Sequence, residues 1–298
     1  MIDPLSEVIT LLRPRAVFSK GISGAGRWAV RYSRFDKPSF CAVLDGSCLL
    51  AVDGQATVTL EAGDFVFLPT TPGFMMSGHQ PAKPVKINPK TAPTPAGDVR
   101  HGKRGGSPDV RLLGGHFEFD APDTDLLVAL IPALVHVRGV PRLSMLVQML
   151  REESRDRKSG REFVLTRLVE VMLVEALRAI SGEEASVGLL RGLADTSVAA
   201  AIRQMHRDPS RGWTVERLAR KAALSRSTFF EHFTGAVGMP PMEYLLAWRM
   251  TIAKDILRRE ALGVAEVAKR VGYGSASTFS TAFSLYVGQP PGRYARQG

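Results

Sequence analysis

The feature that most constrains this chain is a weak internal repeat in its C-terminal third. One copy runs from Trp213 (WTVERLARKAALSRSTFFEHFTGAVGMPPMEYL) and the other from Gly263 (GVAEVAKRVGYGSASTFSTAFSLYVGQPPGRYA). Self-similarity at a fixed spacing indicates two copies of one supersecondary unit. The matches separated by 50 residues are Ser227-Thr228-Phe229 with Ser277-Thr278-Phe279, Phe233 with Phe283, Val237-Gly238 with Val287-Gly288, and Pro240-Pro241 with Pro290-Pro291.

The first copy has the residue pattern of a helix-turn-helix. Thr214 is a good N-cap for a helix that runs to about Ala222. After a short turn, Ser225 caps a second helix, in which Phe229 and Phe233 are spaced i, i+4 and share one face. We therefore predict that these two phenylalanines belong to the core and do not stack on bases.

The second copy repeats this pattern with a drift of one residue in its first helix. Ala268 is the small residue where two helices approach, Gly272 makes the turn and Ser275 caps the second helix. Phe279 and Phe283 form its inner stripe. The segment between the copies, MEYLLAWRMTIAKDILRRE, has no helix breaker and predicts one long connecting helix.

The positive charge is concentrated in the same part of the chain. The whole sequence has 39 Lys and Arg against 29 Asp and Glu, a net charge of +10. Residues 195–298 contain 15 basic and 8 acidic side chains, which leaves +7 there and +3 elsewhere. A compact basic helical domain favours DNA over an anionic membrane surface as its partner.

Two helix-turn-helix units joined by one helix resemble the AraC/XylS family of bacterial transcription regulators. The resemblance covers about residues 195–298 and includes the characteristic C-terminal signature of the family. In this chain the signature is Ala265-Glu266-Val267-Ala268, Val271-Gly272-Tyr273, Ser277, Phe279, Phe283, Gly288 and Pro291-Gly292-Arg293-Tyr294.

The resemblance implies that the two recognition helices, 225–237 and 275–287, enter successive major-groove segments of double-stranded promoter DNA. The N-terminal residues of such helices reach base edges. Arg226 is expected to contact a guanine or a phosphate, whereas Glu231 either accepts from a cytosine or forms a pair on the helix surface. The candidate DNA-binding residues are Arg226, Ser227, Phe230, Glu231, Ala276, Ser277, Ser280 and Thr281, with Arg249 and Arg293 as phosphate contacts.

The N-terminal part, up to about residue 120, has the pattern of a β-rich domain. Its apolar and β-branched runs are interrupted by Asp45-Gly46, Asp53-Gly54 and Gly63-Asp64, which predicts short strands of a barrel or sandwich. The segment 80–111 is rich in Pro, Gly and Lys and predicts a long mobile loop. The run RLLGGHFEFD predicts a closing strand.

The segment EAGDFVFLP, with Gly63-Asp64 and Pro69, resembles the G-D-x-x-x-x-P signature of cupin barrels. Residues 1–180 are therefore similar to the cupin-type sensor domain found on some AraC-family regulators. The fold class expected for the whole chain is α+β, with a cupin-like β-barrel and helical extension followed by an all-α tandem helix-turn-helix domain.

The resemblance to cupins raises the question of a metal ion in the barrel. Metal-dependent cupins use two or three histidines and an acidic residue, but Gly73-Phe74 occupy the region of the histidine that follows the proline. We expect no cofactor and interpret the cysteines as small core residues. The weak candidate ligands are Cys41, Cys48, His79 and His116.

From about Asp123 to Ser181 the apolar residues recur with a helical period. The apolar stripe of REFVLTRLVEVMLVEALRAI is wide, so this helix either packs on the barrel or forms a dimer interface. The domains expected are 1–181 for sensing and dimerisation, 182–194 as a linker and 195–298 for DNA binding.

We expect a cytoplasmic regulator, because no apolar run is long enough for a membrane span and no signal peptide is visible. A homodimer controlled by a small effector of unknown identity is expected, with RNA polymerase as a partner and activation favoured by family analogy. The alternatives are a metal-dependent cupin enzyme fused to a DNA-binding module and a constitutive DNA-binding protein whose barrel only dimerises.

Overall fold

The computed structural model describes residues 3–35, 37–92, 98–119, 131–155, 158–180, 187–260 and 262–296. The chain forms two compact units. The strand-rich unit contains the described residues of 14–119 and 133–180. The helical unit contains residues 3–13, 131–132 and the described residues after 186. No helix among the described residues is long and apolar enough to cross a membrane.

Ten strands of the strand-rich unit form one curled, cupin-like sheet. The order along its main path is β7-β2-β6-β3-β9-β1-β8, while β4 and β5 also pair with β3, and β10 pairs with β5. The strands are β1 (Pro14–Ala25), β2 (Ala29–Tyr32), β3 (Ser39–Val52), β4 (Val58–Glu61), β5 (Phe65–Leu68), β6 (Phe74–Ser77), β7 (Val85–Ile87), β8 (Val99–Gly102), β9 (Val110–Phe119) and β10 (Val135–Val137).

Strand β3 organises the sheet because it pairs with four other strands. Its first half pairs with β5 and β9, and its second half pairs with β4 and β6. The predicted turn at Asp45-Gly46 is wrong, since the strand continues through these residues with a register shift between Val43 and Asp45. Gly46 has φ +71°, and a Cβ there would lie 1.7 Å from the carbonyl oxygen of Asp109, so only glycine fits the bend.

The interior of the curled sheet is filled by apolar side chains from alternate positions of its strands. They come from β3, β9 and the shorter strands, together with Trp28, which directly precedes β2. The buried members are Trp28, Val30, Val43, Cys48, Leu50, Val52, Leu60, Val66, Leu68, Met76, Val110 and Leu112.

The predicted mobile loop over residues 80–111 is wrong in part, because this segment contains β7, β8 and the start of β9. Strand β7 runs parallel to β2, and β8 runs parallel to β1. Backbone hydrogen bonds hold these edge strands, so they need few apolar side chains. The closing strand is confirmed as β9, and β10 lies within the segment for which only helices were predicted.

Two helices, α2 (Pro141–Arg155) and α3 (Arg161–Ala179), complete the strand-rich unit. Helix α2 packs on β3, and α3 packs on β1, β5 and β10. Leu165, Val169 and Met172 of α3 are buried in this packing. The same two helices also carry five exposed apolar side chains, here called the exposed apolar group: Met145, Met149, Phe163, Val164 and Val171.

The helical unit contains α1 (Pro4–Leu12) and eight helices after residue 186 among those described. They are α4 (Leu189–Ala194), α5 (Thr196–Arg207), α6 (Val215–Lys221), α7 (Arg226–Val237), α8 (Pro241–Arg259), α9 (Val264–Arg270), α10 (Ala276–Val287) and α11 (Pro291–Ala295). The long connecting helix predicted between the two repeats is confirmed as α8. The fold class, α+β with an all-α tandem helix-turn-helix domain, is confirmed.

The units of the structure differ from the expected domains at both ends of the first domain. Helix α1 belongs to the helical unit, where Val8 and Leu12 are buried. Helix α4 lies in the segment expected to be a linker, of which residues 182–186 are outside the described part. In α4, a Cβ at Gly192 would lie 2.8 Å from Val237 of α7, so glycine allows the two helices to approach closely.

Candidate nucleic-acid interface

The first helix-turn-helix is built from α6 and α7, and its caps are those that the sequence predicts. The Thr214 hydroxyl accepts from the backbone N–H of Arg217, and the Ser225 hydroxyl accepts from that of Thr228, both at 3.2 Å. Between the helices Ala223 has φ +56°, a left-handed conformation that is unfavourable for alanine. This tight turn sets the start of α7.

The second helix-turn-helix, α9 and α10, has the same geometry with one additional residue. Gly272 takes the left-handed position with φ +86°, and the Ser275 hydroxyl accepts from the N–H of Thr278 at 3.1 Å. The first helices of the two units are 49 residues apart, and the second helices are 50 apart. Gly274, in the turn, is therefore the residue responsible for the drift seen in the sequence.

A row of buried aromatic side chains holds each recognition helix against the rest of the helical unit. Phe229 and Phe233 are fully buried, and the Phe233 ring meets Tyr244 edge-on with 5.7 Å between centroids. Phe279 and Phe283 are equally buried, and Phe283 meets Tyr294 edge-on at 5.5 Å. The core assignment of the four phenylalanines is confirmed. The sequence interpretation missed that Tyr244 and Tyr294 are equivalent positions of the two repeats, although their spacing of 50 residues signals it.

The first two turns of α7 bring four predicted DNA-binding residues to the surface. Arg226, Ser227, Phe230 and Glu231 are all exposed. The Arg226 guanidinium forms a 2.5 Å ion pair with Glu216 on α6. The pKa of Glu216 is below its ordinary value, chiefly because its own backbone N–H and the Thr214 hydroxyl donate to it, with Arg226 contributing less.

The corresponding two turns of α10 present an uncharged surface. Ser277 and Thr281 are exposed, whereas Ala276 and Ser280 are half-buried. The Thr281 hydroxyl donates to the backbone carbonyl of Ser277 at 3.2 Å, which leaves its oxygen able to accept. This second recognition surface therefore consists of small hydroxyl and methyl groups.

The two predicted phosphate contacts lie in different surroundings. Arg293 is exposed on α11. Arg249 is half-buried on α8, where its Nε donates to the Pro209 carbonyl at 2.7 Å and an Nη donates to the Arg211 carbonyl at 2.9 Å. Burial lowers the pKa of Arg249. Its donors hold the loop before α6, and the predicted phosphate contact of Arg249 stays a prediction.

The structure also shows a repeated basic pair that the sequence interpretation missed. Arg220-Lys221 end α6, and Lys269-Arg270 end α9, immediately before the two turns. All four side chains are exposed, and Arg270 forms ion pairs with Glu260 at 2.7 Å and Glu266 at 3.5 Å. The signal was the spacing of 49 residues that also relates α6 to α9. Exposed cations beside a recognition helix are suited to phosphate contacts.

In the strand-rich unit the cupin-type Gly63-Asp64 turn is fastened to β10. Asp64 is buried and accepts from the Glu61 backbone N–H at 2.9 Å, from His136 at 2.9 Å and from Arg138 at 2.7 Å. Burial raises the pKa of Asp64, but the bonds from Arg138, His136 and Glu61 outweigh burial and hold the pKa below its ordinary value. Asp64 is thus an anchor of the fold.

The weak metal-ligand candidates have other surroundings. Burial raises the pKa of Cys48 to about 12 and also raises that of Cys41, so both are thiols and not the thiolates that bind metals. His79 lies 2.8 Å from the Ser47 hydroxyl, and His116 lies near Lys37 and Glu118. Within the described ranges, no three His, Cys, Asp or Glu side chains are grouped to hold a metal ion.

The fold and this surface define a class, that of regulators in which a cupin domain is joined to a DNA-binding helix-turn-helix domain. Residues 3–182 match the Cupin family and residues 218–297 match the helix-turn-helix domain family. The chain belongs to the AraC-like transcription regulators, as the sequence predicts.

Two relatives show this membership, and part of the chain is also similar to one solved structure. Putative AraC-like transcription regulators from Streptomyces lividans and Streptomyces antibioticus are 37% and 36% identical to this chain, over 99% of it and 98% of each relative. The crystal structure of the DNA-binding domain of AdpA in complex with a target DNA is 28% identical, covering 33% of this chain and 89% of that chain with a TM-score of 0.32. These relatives are named as regulators and not as enzymes.

Proposed function

We propose that this regulator activates transcription by reading a promoter sequence with the first turns of α7 and α10. The observation that carries the proposal is the repeated geometry of the two units. Each has a serine-capped helix, fixed by a buried Phe-Phe-Tyr chain, with its first residues at the surface. N-terminal residues of the second helix are those that reach base edges in a helix-turn-helix.

The two surfaces are proposed to contribute differently. Arg226 is the candidate for bidentate contact with a guanine. To make this contact, its guanidinium leaves the ion pair with Glu216. Thr281 and Ser277 are candidates for hydrogen bonds and methyl contacts. Since the second surface has no cation among the predicted base contacts, its contribution lies in specificity, while the basic pairs supply attraction to phosphates.

DNase I footprinting and titration with a cognate promoter fragment test this assignment. Arg226→Ala and Thr281→Ala are expected to weaken specific binding, the former by about 1–3 kcal/mol with relaxed preference at one base pair. Arg191→Ala is the matched control, since Arg191 is exposed on α4 of the same unit and outside both helix-turn-helix units. Unchanged footprints in both variants would show that the recognition surface has been misplaced.

The strand-rich unit is proposed to bind a small effector and to dimerise the chain, so that the effector changes promoter affinity or the contact with RNA polymerase. The exposed apolar group on α2 and α3 supports a second copy as its partner. Phe163 is 66% exposed and Met145 is 60% exposed. Exposed apolar side chains grouped on adjacent helices are typical of interaction surfaces.

Sedimentation equilibrium tests the dimer. Phe163→Glu and Met149→Glu are expected to give monomers, because each places a charge within the proposed interface. Leu285→Glu is the control, as Leu285 is 83% exposed on α10 and belongs to the helical unit. A dimer that survives both substitutions would require a different interface.

The strand-rich unit is proposed to act without a metal cofactor or a catalytic centre, in the cytoplasm where promoter DNA is available. The protonated state of Cys41 and Cys48 supports this proposal. Elemental analysis of the purified protein tests it. Stoichiometric iron, zinc or manganese that is lost in Cys41→Ser or His116→Ala would instead favour a metal-dependent cupin enzyme. A constitutive DNA-binding protein is the remaining alternative, and promoter affinity insensitive to every effector tried would favour it.

A further inference from the structure

A cleft of about 940 Å³ lies in the strand-rich unit between the curled sheet and its two helices. Leu44 of β3, Leu113 of β9 and Ala16 of β1 contribute its apolar floor. Leu165 and Thr166 of α3 line the opposite wall. The volume falls within the range of small-molecule sites in proteins.

The cleft lies where α2 and α3 pack on the sheet, and no described residue of these helices belongs to the interior core. Val43 belongs to the interior core, whereas its sequence neighbour Leu44 lines the cleft. Leu112 belongs to the core and also borders the cleft, beside Leu113. The interior is occupied by the packed apolar side chains of the core. The space for a ligand is therefore provided between the sheet and the helical extension.

Charged side chains surround the apolar floor, and arginine predominates among them. Arg15, Arg100, Arg111, Arg151 and Arg161 line the cleft, against the carboxylates of Asp45, Asp98 and Glu162. The lining thus has a net charge of +2. A lining with net positive charge attracts ligands of negative charge.

The arginines are held in place to different degrees. Arg100 donates to the backbone carbonyls of Lys103 at 2.8 Å and Gly106 at 2.7 Å, which fixes its side chain. Arg151 forms a 2.8 Å ion pair with Asp45, and Arg111 lies directly opposite Asp45 in the β3–β9 register. Within the described ranges Arg111 has no ion-pair partner, so its exposed guanidinium is available to donate two hydrogen bonds to an oxyanion.

We propose that this cleft binds a small organic anion, with a carboxylate or phosphate on Arg111 and an apolar body on the floor formed by Leu44 and Leu113. The proposal rests on the proposed function in one respect, that the anion is the effector of the regulator. It assigns the chemical class of that effector and places its site between the curled sheet and its two helices.

Titration calorimetry of the full-length protein tests the site with probes of one size. Benzoate and phenyl phosphate carry the two oxyanions, benzamide is the neutral counterpart and benzylamine is the cation. We expect the site to bind at least one of the two anions, and neither benzamide nor benzylamine, with the stronger of the two anions identifying the preferred oxyanion. Equal binding of benzamide, or binding of none of the probes, would overturn the proposal.

Two variants, one that removes a positive charge from the cleft and one that removes a negative charge, distinguish a role in binding from a role in structure. Arg111→Gln is expected to lower the affinity for the anion by about tenfold, through loss of a charge-assisted bidentate contact. Asp45→Asn is expected to raise the affinity for the anion by about threefold, since the substitution removes a carboxylate from the lining. Arg104→Gln is the control, because Arg104 is exposed in the same unit and outside the cleft. Equal affinity in wild type and Arg111→Gln would contradict the site.

Promoter binding measured with and without the bound anion distinguishes the site from its regulatory role. A change in promoter affinity that disappears in Arg111→Gln supports both. An anion that binds in the cleft but leaves promoter binding and transcription in vitro unchanged would remove the effector role while the binding site stands.

Discussion

Glu7 and His206 are 199 residues apart in the sequence, and the Glu7 carboxylate accepts a 2.7 Å hydrogen bond from Nδ1 of His206. The other ring nitrogen lies 2.7 Å from the Tyr244 hydroxyl, and the imidazole stacks on Trp248 with 3.8 Å between centroids. A neutral imidazole that donates from Nδ1 and accepts at Nε2 satisfies both partners. This bond joins α1, at the start of the chain, to α5 and α8 of the helical unit.

The buried His206 predicts that the helical unit loses stability in mild acid. Burial lowers the pKa of His206, and the opposing effect of Glu7 does not overcome it. The unfolded chain therefore binds the proton more readily than the native state does, so stability falls as the pH drops below about 6.5 and levels off below the native pKa. Hydrogen exchange of α5 and α8 amides between pH 7 and pH 5 measures this.

His206→Gln supplies the control for that experiment, because glutamine does not titrate. Its α5 and α8 amides are expected to be less protected at pH 7 but to show a smaller loss of protection on acidification than the wild type. If the wild type and the variant lost the same amount of amide protection on acidification, His206 would not be the titrating group.

The two turns predict opposite responses to exchange of alanine and glycine. Ala223→Gly relieves a left-handed alanine and is expected to stabilise the first helix-turn-helix by roughly 0.5–1 kcal/mol. Gly272→Ala is expected to destabilise the second unit by about 2 kcal/mol or more, because its Cβ would lie 2.5 Å from the Ser210 carbonyl oxygen. Protection of the α7 and α10 amides reports each change, and effects of the same sign would contradict the proposed turn geometry.

The repeated basic pairs predict a salt-dependent, sequence-independent contribution to DNA affinity. Lys221→Ala and Lys269→Ala are each expected to weaken binding to the specific promoter and to random-sequence DNA by the same factor. Each should reduce the slope of log affinity against log salt by about 1. Arg226→Ala differs in changing specificity more than slope. If either lysine variant kept the wild-type slope, that lysine would not contact a phosphate.

The Asp64 anchor predicts the stability of the strand-rich unit. Asp64→Asn is expected to cost about 2 kcal/mol, since Arg138 and His136 lose a buried carboxylate, with a discount for the exposure of Arg138. Because the pKa of Asp64 is lowered, its contribution is complete above about pH 4 and is lost as the pH falls through the native value. Asp53→Asn, in an exposed pair with Arg31, is the control and should leave unfolding by urea unchanged.

The sequence determined the features of this protein that are local or repeated. Capping serines and buried phenylalanines at fixed spacing define the helix-turn-helix units, because each depends on residues within one or two turns. Gly63-Asp64 indicated the cupin-like sheet, although the sequence did not show what Asp64 binds. Pairing of β7 and β8 was not predicted, since backbone hydrogen bonds at a sheet edge leave little trace in side-chain composition.

Only the tertiary structure decided which distant residues meet. It placed Glu7 on His206, used Arg249 to hold the loop at Pro209, and gathered arginines from β1, β8, β9, α2 and α3 around one cleft. Such contacts depend on chain segments brought together by packing, and no periodicity of either segment encodes the other. The sequence thus specified the surface that we propose to read DNA, while the long-range contacts and the proposed ligand site required the folded chain.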